Sequence, residues 1–281
     1  MPETVAIIGA GGKMGVRAAE KIGRDARWNV LMCEADEAKA AALRVQGYAV
    51  TPVEEAAPAA DFVVMATPDA LIAEIARQLV PEMKPGSTLI MLDAAAAYIG
   101  ELPSRGGVTQ MITHPCHPPF FTEQPSPEAR RDYFGGVAAQ DILVSLIAGG
   151  EEAFEGGVAL SRAIFAPVNR ALRVTPEQFA LLEPAMSEII VAAAAQWMKD
   201  SMEEAVARGV PREAAEAFMA GHAQIAMAIV FGAEPSPFSD AARRALEWGG
   251  ERYIRPEWRT VFARPVLEGA IREILHPERA G

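Results

Sequence analysis

Two of the chain's four histidines stand three residues apart in Thr113-His114-Pro115-Cys116-His117-Pro118-Pro119-Phe120-Phe121. The segment follows a run that reads as a strand. Two imidazoles and a thiol can supply metal ligands, acid–base groups or both. Pro115, Pro118 and Pro119 hold the backbone extended, so the side chains between them are aimed with little entropy left to lose. His-x-x-His in a loop is not a complete metal site, and a histidine here could equally bond only to backbone.

A second chemical signal is Ile7-Ile8-Gly9-Ala10-Gly11-Gly12-Lys13-Met14-Gly15, which follows an apolar run and opens a helix-period stretch. Glycines in that position permit a tight turn and let backbone N–H groups approach a pyrophosphate at the helix N-terminus. Two registers fit: Gly9-x-Gly11 leaves Met14 in the third glycine's place, and Gly12-x-x-Gly15 leaves Ala10 in the first. Glu34 closes the next apolar run. A carboxylate there accepts hydrogen bonds from the adenosine ribose and repels a 2′-phosphate, which points to NAD rather than NADP. Thr67-Pro68-Asp69 and Asp93 follow the third and fourth runs, at strand ends where doubly wound sheets receive ligands; Asp69 also reads as a helix N-cap. The candidate cofactor contacts are Gly9, Gly11, Gly12, Lys13, Met14, Glu34 and Thr67.

His222 has Phe218 at i−4, Ile225 at i+3 and Ile229 at i+7. It therefore shares the apolar face of a helix, as a hydrogen-bonded core residue or as a second candidate for catalytic contact with a substrate. Arg130 and Arg131 fall in a loop from which they could close on a substrate carboxylate.

These residues need a scaffold. Short β-branched runs at Thr4–Ile8, Trp28–Cys33, Asp61–Ala66, Ser87–Leu92, Val108–Ile112 and Ile142–Ile147 read as strands. Helix-period stretches at Met14–Ile22, Glu37–Gln46 and Ala70–Leu79 separate the first of them, which implies crossovers and a doubly wound parallel sheet of Rossmann type. Pro118–Gly136 reads as a loop over one end of that sheet. After about Asn169 the spacing becomes helical, with Pro176–Gly209, Pro211–Phe231, Asp240–Gly249 and Pro265–Leu275 as helices and Pro184 in the first turn of the earliest. The expected division is an α/β cofactor-binding domain over residues 1–170 and an all-helical substrate and dimerisation domain over residues 171–281.

Composition narrows the partners. A net charge of −11 argues against nucleic acid and against an anionic membrane surface. Two cysteines make no disulfide framework. The apolar stretch Ile189–Met198 is too short to span a bilayer, and Thr4–Ala10 is too short for a signal sequence. A soluble cytoplasmic protein is expected, and the Ala-rich helices suggest a homodimer.

The GAGGKMG turn, Glu34, a strand ending in His114-Pro115 and a long helix entering a helical half resemble the β-hydroxyacid and 6-phosphogluconate dehydrogenase superfamily. The GKMG turn and His114-Pro115 also resemble prephenate dehydrogenases. The fullest match, which takes in THPCHPPFF and the helical half, is similar to the D-apionate oxidoisomerase group of NAD-dependent sugar-acid enzymes. It covers nearly the whole chain.

One departure from the wider superfamily bears on chemistry. The β-hydroxyacid dehydrogenases start the long interdomain helix with a catalytic lysine and carry an asparagine four residues on. Counting back from Gly209, that place holds Glu183-Pro184, with Ser187 four after Glu183. A carboxylate opposite His114 suits a divalent cation, zinc or magnesium, held by His114 and Glu183 with positions open for substrate oxygens. Alternatively, Glu183 is a first-turn residue favoured by the helix dipole.

The resemblance implies oxidation of the alcohol beside the carboxylate of a branched sugar acid, with NAD as oxidant. His117 or another base would then take the neighbouring tertiary hydroxyl proton while a hydroxymethyl group migrates. Open alternatives are a plain NAD-dependent dehydrogenase of another 2- or 3-hydroxy acid and a non-catalytic NAD-binding regulator.

Overall fold

The computed structural model describes residues 1–276, and the chain divides into two compact units. Met1–Ala180 and residues 271–276 form one; Leu181–Ala270 form the other.

The first unit runs β1 (Glu3–Ile8), α1 (Lys13–Ile22), β2 (Trp28–Cys33), α2 (Glu37–Val45), α3 (Val53–Ala59), β3 (Phe62–Met65) and α4 (Asp69–Leu79). It continues with β4 (Thr88–Met91), α5 (Ala95–Tyr98), β5 (Thr109–Pro115), α6 (Pro127–Arg130), β6 (Gln140–Ala148), α7 (Glu151–Ile164), β7 (Val168–Arg173) and α8 (Pro176–Ala180). The sheet order is β2-β1-β3-β4-β5-β6-β7. Strands β1 and β3 are neighbours, and β2 lies on the far side of β1. The order therefore reverses between β1 and β3, the crevice where open α/β sheets take ligands. All four residues of β3 and of β4 are buried, as expected of strands covered on both faces. Val5, Ile7, Val64, Ile90, Met111 and Phe154 belong to the core between sheet and helices.

The expected doubly wound sheet is present with one difference: β5 and β6 pair antiparallel, while β6 and β7 are again parallel. The loop between β5 and β6, residues 116–139, holds only the four-residue α6, so it supplies no crossover helix of the kind that joins parallel neighbours. Helices α3 and α7 and strand β7 were not expected from the sequence. Pro58 lies inside α3, Gly156-Gly157 breaks the apolar spacing of α7, and β7 is mostly exposed. The first unit thus runs past residue 170, through β7 and α8.

A single long helix leaves α8, winds as a π-helix through Leu181–Val191 and continues as α9 (Ala192–Ala207). Its start is a capping box: Thr175 Oγ1 accepts from the Gln178 amide at 3.2 Å, and Gln178 Oε1 accepts from the Thr175 amide at 2.9 Å. That box starts the helix well before Pro184, which corrects the expected first-turn position: Pro184 and Glu183 lie inside the helix. The i→i+5 winding accommodates a residue with no N–H to give and a ring that would crowd the preceding α-helical turn. Ser187 Oγ donates to the Glu183 carbonyl at 2.7 Å.

Helices α10 (Arg212–Val230), α11 (Asp240–Tyr253) and α12 (Arg264–Leu275) follow. By length and composition alone, Pro176–Ala207 is apolar enough to cross a membrane. That span is the whole helix expected over Pro176–Gly209, rather than the stretch Ile189–Met198 alone.

Candidate active site

Strand β1 delivers its last residue, Ile8, into the turn that precedes α1. Gly9 has φ +79°, and a Cβ there would stand 2.8 Å from the Ala66 carbonyl oxygen, so the turn runs against the end of β3. A Cβ on Gly15 would meet Gly9 O at 2.5 Å and Ala10 Cα at 2.6 Å. Gly9 therefore makes the tight turn and Gly15 the close helix–strand approach, and Gly12, the N-cap of α1, falls midway. In conformation the turn draws on glycines from both of the registers that the sequence leaves open. Neither Gly9-x-Gly11 nor Gly12-x-x-Gly15 alone is the working unit.

The turn fits a dinucleotide on three counts. Among the described residues no side chain caps the N-terminus of α1, which leaves its first-turn amides and the positive end of its dipole to an anion. Glu34 stands just past β2; its Oε2 accepts from the Gly11 amide at 2.8 Å and its Oε1 from the Asp36 amide at 2.9 Å. The carboxylate is held against the glycine turn, where an adenosine ribose would lie. Thr67, just beyond β3, has a buried hydroxyl with no hydrogen-bond partner among the described residues, and its methyl group lies beside Gly9. A buried hydroxyl with no partner is costly, and a bound polar ligand removes that cost.

Lys13 and Met14 open α1, and Lys13 turns toward the next feature. Its Nζ lies 3.9 Å from the centroid of the Phe134 ring, and Arg17 Cζ lies 4.3 Å from it. One turn further, Lys21 Nζ donates to Gly136 O at 2.6 Å, and Arg17 donates to Gly135 O.

The two histidines are adjacent, with ring centroids 6.1 Å apart and nearly perpendicular planes. His114 is the penultimate residue of β5, and its Nδ1 lies 2.9 Å from Pro115 O. His117 Nδ1 lies 3.1 Å from Phe134 O, and the two rings are 5.0 Å apart. A carbonyl only accepts, so each Nδ1 carries the proton, and the neutral form of His117 has its lone pair on Nε2. Burial pushes the His117 imidazole below its ordinary value; His114, Arg17 and Lys13 push the same way, and the bond to Phe134 opposes them. His117 is therefore held neutral, as a base must be. The neighbouring Cys116 thiol is pushed up to about 11, chiefly by burial, so it is no thiolate nucleophile.

The first unit thus collects Gly9, Gly11, Gly12, Lys13, Met14, Glu34, Thr67, His114 and His117. Glu183 and His222 belong to the second unit. Glu183 is buried, 5% exposed, on the π-helical segment. His222 is exposed on α10, where its Nδ1 donates to Phe218 O at 2.9 Å and its ring stacks on Phe218 at 3.8 Å. The described residues hold no group of three or more His, Cys, Asp or Glu side chains able to bind a metal ion. His114 and Glu183 by themselves are two donors in separate units. Arg130 ends α6 and Arg131 follows it, both exposed. Asp93 is buried and accepts from the Ala95 amide at 2.7 Å, which starts α5.

Sequence reasoning missed the contacts of Arg17, Asp132 and Phe134. The available signal was Lys13, Arg17 and Lys21 at i, i+4 and i+8, a basic stripe immediately after a glycine turn.

Residues 2–121 match the family model of the acetohydroxy acid isomeroreductase NADPH-binding domain, and residues 122–275 that of the phosphogluconate dehydrogenase (decarboxylating) C-terminal domain. A D-apionate oxidoisomerase from Cupriavidus necator is 44% identical over 276 residues, covering 98% of this chain and 100% of that protein. The chain belongs to the D-apionate oxidoisomerase family. Another member, from Rhizobium rhizogenes, is 40% identical over 272 residues, covering 96% of this chain and 98% of its own length. Among solved structures, a semialdehyde dehydrogenase NAD-binding protein from Cupriavidus necator, in complex with calcium and NAD, superposes with a TM-score of 0.93. It is 43% identical and covers 98% of this chain and 100% of its own. The fold and family expected from the sequence are therefore borne out.

Proposed function

We propose that this chain is an NAD-dependent oxidoisomerase that converts D-apionate to 3-oxo-isoapionate. The observation that carries the reading is the placing of a dinucleotide turn and a neutral, tautomer-fixed histidine in one unit, in a chain 44% identical to a D-apionate oxidoisomerase along its length. When bound, NAD supplies the hydride acceptor. The amides at the start of α1 hold its pyrophosphate. Glu34 takes the ribose hydroxyls and disfavours a 2′-phosphate, and the Thr67 hydroxyl faces the nicotinamide half.

Oxidation of the secondary alcohol beside the carboxylate makes a 2-keto acid with a tertiary hydroxyl next to it. His117 Nε2 removes the proton of that hydroxyl, its Nδ1–H being committed to Phe134 O. The electron pair released from oxygen forms the new carbonyl at the tertiary carbon as the hydroxymethyl group moves to the neighbouring ketone carbon. That ketone oxygen takes up a proton, for which His222 is the candidate donor. A divalent cation, zinc or magnesium, belongs to the same reading with His114 and Glu183 among its ligands. When bound it would polarise the ketone. Support for it is the chemistry of the two donors and the calcium in the Cupriavidus necator structure.

A homodimer and a cytoplasmic location complete the proposal. Among the described residues α9 and α11 bury no side chain, and Trp197, Phe218, Phe231 and Trp248 are exposed apolar surface in the second unit that a second copy would cover. Two unbridged cysteines suit a reducing compartment, and the net charge of −11 suits neither nucleic acid nor an anionic membrane.

The test is NADH formation from D-apionate, followed before and after chelation and metal restoration, with the carbon skeleton of the product read by NMR. A rearranged skeleton is expected; NADH with an unrearranged 2-keto acid would make the protein a simple dehydrogenase. Glu183→Ala is expected to abolish turnover while NAD affinity stays nearly unchanged, and a parallel loss of NAD binding would remove Glu183 from the reaction.

A further inference from the structure

We infer that Asp132 is a positioning residue for proton transfer at His117: through the Phe134 carbonyl it holds the imidazole in the tautomer protonated on Nδ1. The inference rests on the reading of His117 as the base.

Asp132 lies in the loop between α6 and β6. Its carboxylate accepts from four backbone amides, with Oδ1 taking Phe134 at 3.3 Å and Gly135 at 3.0 Å, and Oδ2 taking Val137 at 2.8 Å and Ala138 at 3.0 Å. The Gly135 amide and the Phe134 carbonyl belong to one planar peptide, so they point in opposite directions. When Asp132 receives the amide, the carbonyl is aimed away from it, at His117 Nδ1. The next peptide but one repeats the device: its Val137 amide bonds to Asp132 and its Gly136 carbonyl to Lys21. The loop is thereby fastened on one side to a carboxylate and on the other to the cofactor-binding helix.

His117 is also fixed from its own backbone. Its φ is +61°, a left-handed conformation that non-glycine residues adopt only when the surroundings impose it. The charged and titratable groups acting on the ring are His114 from β5 and Lys13 and Arg17 from α1. Burial pushes the Asp132 carboxyl up, and the amides of Ala138, Val137, Gly135 and Phe134 together outweigh it, so it stays ionised as the clamp requires. Without the clamp the Phe134 peptide can rotate, His117 loses its Nδ1 acceptor, and the proton is free to move to Nε2, the atom that must be bare.

Four histidines make the tautomer directly readable by NMR of full-length protein labelled with ¹⁵N-histidine, with His117→Ala providing the assignment. Wild-type His117 is expected as the single Nδ1–H form at neutral pH. Asp132→Asn, which keeps an acceptor oxygen and so preserves part of the loop, is expected to give a mixture. It should lower kcat about 10- to 100-fold with KM and NAD affinity unchanged. Asp132→Glu should recover part of kcat. A wild-type tautomer in Asp132→Asn, with His117→Ala inactive, overturns the positioning role alone. Normal turnover by His117→Ala overturns the reading of His117 as base and this inference with it. A kcat loss in Asp132→Asn that only tracks a fall in Tm, with the His117 tautomer unchanged, also overturns it.

Discussion

The sheet-bearing unit and the helical unit differ in what holds their functional residues. Around Gly9, Glu34 and His117, backbone amides and carbonyls of the same unit fix each side chain: Gly11 and Asp36 hold Glu34, Phe134 holds His117, and Asp132 holds Phe134. In the helical unit α9 and α11 bury nothing among the described residues, and His222 bonds only one turn back along its own helix. The first unit carries a site shaped from within. The second presents exposed apolar faces, which the proposed homodimer would cover.

Glycine substitutions sharpen the contrast because the two units should respond with opposite sign. Gly15→Ala puts a methyl group against backbone on the β1–α1 turn, which has nowhere to retreat. NAD affinity should fall about 100-fold, roughly 2.8 kcal/mol, as measured by calorimetric titration. Wild-type affinity in that variant would mean that the turn is looser than the first unit's geometry requires. Thr67→Val tests the same unit more gently. It removes the unpartnered hydroxyl at nearly constant shape, so the cofactor-free protein should gain about 1 kcal/mol while NAD binds about tenfold more weakly. A variant that loses stability in both states would show that the hydroxyl already has a partner in the free protein. Gly221→Ala, in the exposed middle of α10, meets nothing within 4 Å. Thermal unfolding should show a gain of about 0.5–1 kcal/mol from helix propensity. A loss instead would mark that face as closely packed against the second copy, which sedimentation analysis of the same variant would detect as weakened association.

Local pattern made much of the first unit legible. The apolar runs of β1 to β4, the glycine turn and Glu34 lie where spacing and residue type put them, because buried parallel strands and a phosphate turn leave few alternatives. The antiparallel direction of β6 was not legible, because nothing in a strand's own composition sets its direction against its neighbour. Helix α7 was hidden by Gly156-Gly157, and β7 by exposed residues that lack a strand's apolar alternation. His114 and His117 could be singled out as a chemical pair. The tautomer of His117 could not, because it is set by Phe134, seventeen positions away in sequence. Pro184 misled for a different reason: the start at Pro176 was legible, but a proline reads as a first-turn residue, and only the wider winding shows how one is held inside the helix.

That wider winding also has an evolutionary consequence. A helix closed i→i+5 over Leu181–Val191 advances more slowly about its axis than the α-helix on either side of it. It acts as a phase adjuster between Glu183 and everything beyond Val191. Loss or gain of one residue there would turn the faces of α9 by somewhat less than the α-helix's roughly 100° per residue, relative to Glu183, while leaving the helix continuous. A lineage could thus present a new side of α9 to its surroundings through a single codon's insertion or deletion, with no residue of α9 itself replaced.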